Sequence, residues 1–271
     1  MDPRKNIEQN SIHNLLKVAY LLADESRSII CSKLATNFNV LTKADKTLVT
    51  DIDMEVEQRL RSLICELCPN HGIVGEEFPD VNADSPFTWF LDPIDGTEEF
   101  INGIPTFGTL IGLQYQNLPI LGIIDHPALN IRASGAFGFG TLCQDKKVTL
   151  SMNSSSLSTA QQRVAISKRS NFLRISDEGR QFDILSKHNP NLRIFDTCYS
   201  HTCAINGSLD AVVEYNVKAW DLCAIQVLIE EAGGKYVCVR KSNGPDGKMN
   251  YCAVFGKAEV VDYLLKILNI G

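Results

Sequence analysis

Hydrophobic positions along the 271 residues change period several times, and each change marks an element. Between residues 7 and 31, Ile12, Leu15, Leu16, Ala19, Leu22 and Ala23 recur at three- and four-residue steps, which predicts an amphipathic helix. Residues 39–50 are polar and irregular. A second helical pattern covers 51–68, with Met54, Val56, Leu60, Leu63, Ile64 and Leu67 at near-helical spacing. Thr50 or Asp51 is a natural N-cap for it, and the early acids suit the helix dipole. Gly72-Ile73-Val74-Gly75 reads as a short strand or turn, and 82–86 as a loop. Trp89, Phe90 and Leu91 then run into Asp92. Pro93 and Gly96 bar a continuous strand or helix beyond it, so the expectation is a buried strand ending in a tight loop. Strands follow at 109–115 and 120–125 around a Gln116-Asn117 turn, and the Gly-rich stretch 131–139 reads as another edge or a loop. Consecutive strands with short turns predict an antiparallel sheet.

The pattern changes at residues 151–160, which are Ser-rich and polar. They place a boundary between an N-terminal half, 1–150, and a C-terminal half, 151–271. Beyond the boundary strand and helix alternate. Strands are expected at 163–167, 192–195 and 211–214, helices at 178–188 and 221–232, and a helix end in 200–207. Strands at 236–239 and 252–254 and a helix at 258–268 close the chain. Asp221 falls near a helix start, with Gly233 as that helix's C-cap. The alternation predicts an α/β (α+β) fold with helices packed on a largely central sheet.

Composition narrows the function classes. Hydrophobic residues at 44% and charged residues at 21% describe an ordinary globular chain, long enough to bury a sizeable core. A net charge of −6 advertises no nucleic-acid or membrane partner, and no apolar run reaches the ~20 residues of a membrane span. Met-Asp-Pro-Arg-Lys lacks the following apolar stretch of a signal peptide. Nine scattered cysteines, an odd number, fit reduced thiols and a cytoplasmic location. Cys65-x-x-Cys68 lies inside a helical pattern with no second pair, so core packing is expected over zinc or redox chemistry.

The chemistry concentrates where the hydrophobic run meets Asp92 and Asp95. Two carboxylates held ~4 Å apart repel by about 4 kcal/mol at an effective dielectric near 20. Such a pair must protonate, meet a cation or bind metal, and no Lys or Arg lies between them. All-oxygen ligation suits a hard ion such as Mg²⁺. The C-terminal end of a strand is also where α/β folds commonly place ligands. Gly96-Thr97 at a helix start would aim backbone N–H groups at an anion. Other acids have blander local readings: Glu76 and Glu77 as a solvated pair, Asp221 as an N-cap, Glu214 as a strand end. Lys168 and Arg169 read equally as charged-substrate recognition or as a solvated loop. The spacing fits neither an EF-hand nor a P-loop.

Taken in order, Gly75-Glu76-Glu77, Asp92-Pro93-Ile94-Asp95-Gly96-Thr97 and Trp220-Asp221 with Glu230-Glu231-Ala232-Gly233-Gly234 resemble the inositol monophosphatase superfamily of metal-dependent phosphomonoesterases. The resemblance runs over residues 39–256 and implies a layered α-β-α-β-α sandwich. It implies two or three Mg²⁺ ions, one on Glu76, Asp92 and the Ile94 carbonyl, another on Asp92, Asp95 and Asp221, with Asp92 bridging. It implies that Asp53 hydrogen-bonds the Thr97 hydroxyl and that Thr97 and Glu76 position the attacking water, with no covalent phosphoenzyme. Asp95, Gly96, Thr97, Glu214 and Asp221 become substrate contacts. Residues 100–130 and Lys43-Ala44-Asp45 look more like the histidinol-phosphatase branch than the inositol branch. The expected substrate is a small-molecule phosphate monoester, histidinol phosphate or inositol monophosphate, with another sugar phosphate or 3′-phosphoadenosine phosphate as alternatives. A non-catalytic metal- or phosphate-binding regulator is the alternative of another class, and the complete acidic set with Thr97 argues against it. A homodimer is carried by analogy alone.

Overall fold

The computed structural model describes residues 2–34, 38–43, 47–150, 161–173, 179–244 and 247–270, so the expected boundary at 151–160 lies outside the described residues. The first two helical patterns become α1 (Gln9–Lys33) and α2 (Asp51–Leu67). Between them β1 (Val40–Thr42) pairs antiparallel with β2 (Leu48–Thr50), which corrects the irregular reading of 39–50. Strands of three residues are too short for alternation to register. Thr50 is the N-cap of α2: its hydroxyl accepts from the backbone N–H groups of Ile52 and Asp53, and the Asp53 carboxylate accepts from Thr50 N.

Among the described residues seven strands form one sheet in chain order: β3 (Gly72–Gly75), β4 (Phe87–Asp95), β5 (Gly108–Tyr115), β6 (Leu118–His126), β7 (Ile131–Ala136), β8 (Gly140–Cys143) and β9 (Lys146–Val148). The short α3 (Thr97–Ile101) follows β4. The sheet is antiparallel except that β3 runs parallel to β4. Two expectations are corrected. β4 continues through Pro93 to Asp95, because the register against β5 shifts between Asp92 and Asp95 and a bulge accommodates a proline. β7 is interior: its small residues Ala133, Ser134, Gly135 and Ala136 mask the alternation, and β8 and β9 extend the sheet beyond it.

The second half supplies β10 (Val164–Ile166), α4 (Arg169–Leu173), α5 (Arg180–His188), β11 (Arg193–Ile194), α6 (Tyr199–Ile205), β12 (Ala211–Val217), α7 (Ala219–Glu231), β13 (Lys235–Asn243), β14 (Met249–Gly256) and α8 (Ala258–Ile267). Its sheet runs β11-β10-β12-β14-β13, parallel through β11, β10 and β12 and antiparallel from β12 to β14 and β13.

Side-chain alternation fixes the layers. Ile111, Leu113, Leu121 and Ile123 share a core with α1 and α2, whereas Leu110 and Ile124 share one with α7 and one face of the second sheet. Val164, Ile166, Val213 and Val254, on that sheet's other face, pack against Phe172 of α4, Leu185 of α5 and Leu264 of α8. The result is an α-β-α-β-α sandwich. α7 is buried nearly all round, from Trp220 to Ile229, as a helix between two sheets must be. It sits unusually close to the first sheet: a Cβ on Gly112 would lie 2.4 Å from Cys223 Sγ, and one on Gly122 would lie 2.5 Å from the Ala224 carbonyl oxygen. Cys68 packs into the first core as expected, while Cys65 is exposed. No described helix is long and apolar enough to cross a membrane.

Candidate active site

The β4 bulge and the start of α7 meet at one point. Asp92 and Asp95 lie at the C-terminal end of β4, and Asp221 lies in the first turn of α7, where it accepts from Lys218 N at 2.6 Å. One carboxylate oxygen of each lies within 4.8 Å of the others. Asp92 is 2% exposed, and its Oδ1 is buried without a hydrogen-bond partner. Burial, then the charges of Glu76, Asp95 and Asp221, push the Asp92 carboxyl well above the carboxylate range. Burial and Asp95 do the same to Asp221. Burial raises Asp95 to about 6, against the Cys198 N–H that donates to it. These acids cannot share the site as three bare charges. Three oxygen donors and an orphaned buried oxygen fit a hard divalent cation.

Glu76 and Glu77 leave β3 beside this cluster. The Lys43 ammonium donates to Glu76 Oε1 at 2.7 Å and to Glu77 Oε1 at 2.8 Å. Burial would lower the Lys43 pKa, but Glu76 and Glu77 outweigh it and raise it. Glu77 is pushed up to about 7 by burial and by Glu76, and its backbone N–H donates to Glu57. The structure therefore gives Glu76 a cationic partner from the β1–β2 segment and groups only Asp92, Asp95 and Asp221 as a compact triad among the described residues.

Thr97 opens α3 behind Gly96, whose φ of +85° and 2.6 Å Cβ approach to Thr197 Cγ2 both call for glycine. The Thr97 hydroxyl lies 3.1 Å from Asp53 Oδ1 and 3.2 Å from the Ile94 carbonyl oxygen. The Asp53–Thr97 contact expected from the resemblance is thus present. Asp53 is buried, and burial raises its pKa against the Thr50 hydrogen bonds.

A cleft opens beside the triad, lined by Asp95, Asp196, Cys198, His201, Glu214 and Asp221. Glu214 is buried inside β12, and His201 Nε2 sits 3.2 Å from its Oε1, which corrects the strand-end reading. Lys168 reaches the rim through an ion pair with Asp196, and Arg169 pairs instead with Asp183 at 3.5 Å. The sequence reading missed Lys43 as a partner, and it missed Cys198 and His201. Their neighbours read only as the approach to a helix, and no local spacing ties them to Asp95, 103 positions away from Cys198.

A model of the inositol monophosphatase family matches residues 11–262. The histidinol-phosphatase of Mycobacterium tuberculosis is 31% identical over 264 residues, covering 96% of this chain and 99% of that protein. The fructose-1,6-bisphosphatase/inositol-1-monophosphatase of Aquifex aeolicus is 30% identical over 234 residues, 84% of each chain. Among solved structures, an inositol monophosphatase from Zymomonas mobilis matches with a TM-score of 0.77 at 26% identity, covering 95% of this chain and 98% of that one. The suhB protein of Bartonella henselae matches with a TM-score of 0.80 at 21% identity, covering 95% and 99%, which speaks to the fold.

Proposed function

The chain belongs to the inositol monophosphatase family of phosphate-monoester phosphatases, and from that premise we propose that it hydrolyses a small phosphorylated alcohol by Mg²⁺-assisted attack of water. The observation that carries this reading is the Asp92–Asp95–Asp221 triad within 4.8 Å, with Asp92 Oδ1 buried and unpartnered. Asp92, Asp95 and Asp221 would hold one Mg²⁺, and Glu76, Asp92 and the Ile94 carbonyl another. Bound there, Mg²⁺ would neutralise the phosphate and lower the pKa of a water.

The chain's own groups do the rest. Asp53 takes the Thr97 hydroxyl hydrogen, so the Thr97 oxygen keeps its lone pairs for a hydrogen from the attacking water. Glu76 acts on the same water, its charge balanced by Lys43. Gly96 and Thr97 offer backbone N–H groups to the phosphate. Water attack needs no protein nucleophile, and the Cys198 thiol beside the triad is unsuited to that role. Burial and Asp95 raise the Cys198 thiol well above its ordinary range and keep it protonated. Asp95, Glu214 and Asp221 line the cleft where the alcohol would sit. Histidinol phosphate and inositol monophosphate are the substrates we propose, following the named activities of the relatives.

The test is phosphate release from histidinol phosphate, inositol-1-phosphate, fructose-1,6-bisphosphate and 3′-phosphoadenosine phosphate, each with Mg²⁺ and with EDTA. Mg²⁺-dependent release that favours one of the first two is the expected result. No release from any, by a folded protein that binds Mg²⁺, would replace this reading with the non-catalytic one.

A further inference from the structure

The cleft beside the triad has lining residues outside the triad. His201, on α6, lines it and is 4% exposed. Its Nε2 lies 3.2 Å from Glu214 Oε1, and its ring stands edge-on to Phe255 with centroids 5.1 Å apart. Both contacts fix the ring's position. The other ring nitrogen, Nδ1, is buried and has no hydrogen-bond partner. Buried polar atoms are nearly always paired, so an orphan on a residue lining a ligand cleft marks a place for a ligand atom.

The type of atom follows from the network. An ionised Glu214 only accepts, so Nε2 carries the hydrogen, and in the neutral ring Nδ1 is then an acceptor. Glu214 itself is held by β12, whose register against β14 shifts between Tyr215 and Val217, with Asn216 at a φ of +60°. The neighbouring Asp196 is occupied by Lys168. His201 and Glu214 therefore present an imidazole acceptor and a carboxylate to the cleft. An anionic alcohol meets repulsion there, and a donor-free alcohol leaves Nδ1 unpaired.

We infer that His201, backed by Glu214, is a specificity-determining residue that accepts a hydrogen bond from a hydroxyl or amino donor on the alcohol portion of the phosphomonoester. The inference rests on the phosphomonoesterase reading of the site and names the class within it: phosphates of amino alcohols or polyols, over phosphates of donor-free alcohols.

The experiment compares wild type, His201→Phe and His201→Gln on histidinol phosphate, inositol-1-phosphate and the donor-free 4-nitrophenyl phosphate, all with Mg²⁺. The readout is kcat/KM for each donor-bearing substrate divided by that for 4-nitrophenyl phosphate. In His201→Phe this ratio should fall about tenfold for the preferred substrate, mainly through KM. His201→Gln should recover most of it, because an amide keeps both an N–H for Glu214 and a carbonyl acceptor. A fall confined to histidinol phosphate assigns a nitrogen donor, which its des-amino analogue identifies as the amino group, and one confined to inositol-1-phosphate assigns a hydroxyl. An equal loss on all three substrates, or an unchanged ratio, overturns the inference and leaves His201 as a prop for Glu214. If His201→Phe melts early, des-amino and deoxy analogues of the preferred substrate carry the test. They should lose the same factor with wild type and nothing further with His201→Leu, which has no acceptor to leave unpaired; a wild type indifferent to them overturns the inference. Wild-type turnover of 4-nitrophenyl phosphate reports the phosphomonoesterase reading by itself, so failure of that reading is separable from failure of the His201 role.

Discussion

Two buried aspartates, Asp92 and Asp210, show how differently one fold can treat the same side chain. Asp210, just before β12, is fully buried and surrounded by donors: Arg163 N and Arg163 Nη2 at 2.8 Å and Lys257 Nζ at 2.8 Å. Burial alone would raise its pKa, but Arg163 and Lys257 outweigh burial and lower it. Asp92 is as deeply buried and has acids for neighbours, so burial and charge push the same way. The chain itself compensates Asp210 and leaves Asp92 to be compensated by something else. Burial does not separate structural from functional acids here; the sign of what surrounds them does.

The largest test of that contrast is Asp92→Asn. Mg²⁺-supported phosphate release should fall at least about a thousandfold, equivalent to about 4 kcal/mol of transition-state stabilisation. Without metal, the variant should melt no lower than wild type, because a repulsion has been removed. Near-normal turnover would take Asp92 out of the chemistry. The mirror experiment is Asp210→Ala, which removes the buried acceptor shared by the Arg163 N–H, the Arg163 guanidinium and the Lys257 ammonium and should cost about 3 kcal/mol in denaturant unfolding. Mg²⁺ affinity should not change. A loss of Mg²⁺ affinity without a loss of stability would invert the comparison.

The smallest effect is one of pH. Asp95 stands at about 6 in the folded chain against an ordinary 3.8, so the folded state binds that proton more tightly than the unfolded state. Its contribution to metal-free stability therefore falls as pH rises from about 4 to about 6. Asp210 has the opposite sign: its lowered pKa gives stability at higher pH that is lost on acidification. Unfolding measured in EDTA should show wild type losing ground to Asp95→Asn across that window. A difference that stays flat would mean Asp95 is not strained by its neighbours.

Much of this was legible in the sequence, and the limits have physical causes. Long periodic stretches announced α1 and α2, the strand–helix alternation of the second half announced α7, and the strands at 109–115 and 120–125 around a short turn announced an antiparallel sheet. The acidic motifs already point to the end of β4. The hairpin of β1 and β2 and the strands β7 to β9 were hidden because short strands and small residues carry little hydrophobic signal. The passage of β4 through Pro93 depends on a register shift against β5, which is a property of a pair of strands. Lys43, Cys198 and His201 were invisible for a related reason. Each matters through a partner distant in the chain, and nothing in its immediate surroundings shows that partner.

The close seating of α7 against Gly112 and Gly122 bears on the order in which the molecule is made. A growing chain releases β4, β5 and β6 first, with Leu110 and Ile124 facing a layer that does not yet exist. Only when α7 emerges is that face covered, and the same helix brings Asp221 to Asp92 and Asp95. Synthesis thus brings the third acid and the helix that covers the first sheet in one event, before β13 and β14 add Tyr236, Ala253 and Phe255 to the same core. A nascent chain stalled before residue 219 would carry two of the three acids and an uncovered sheet, a species for chaperones to hold.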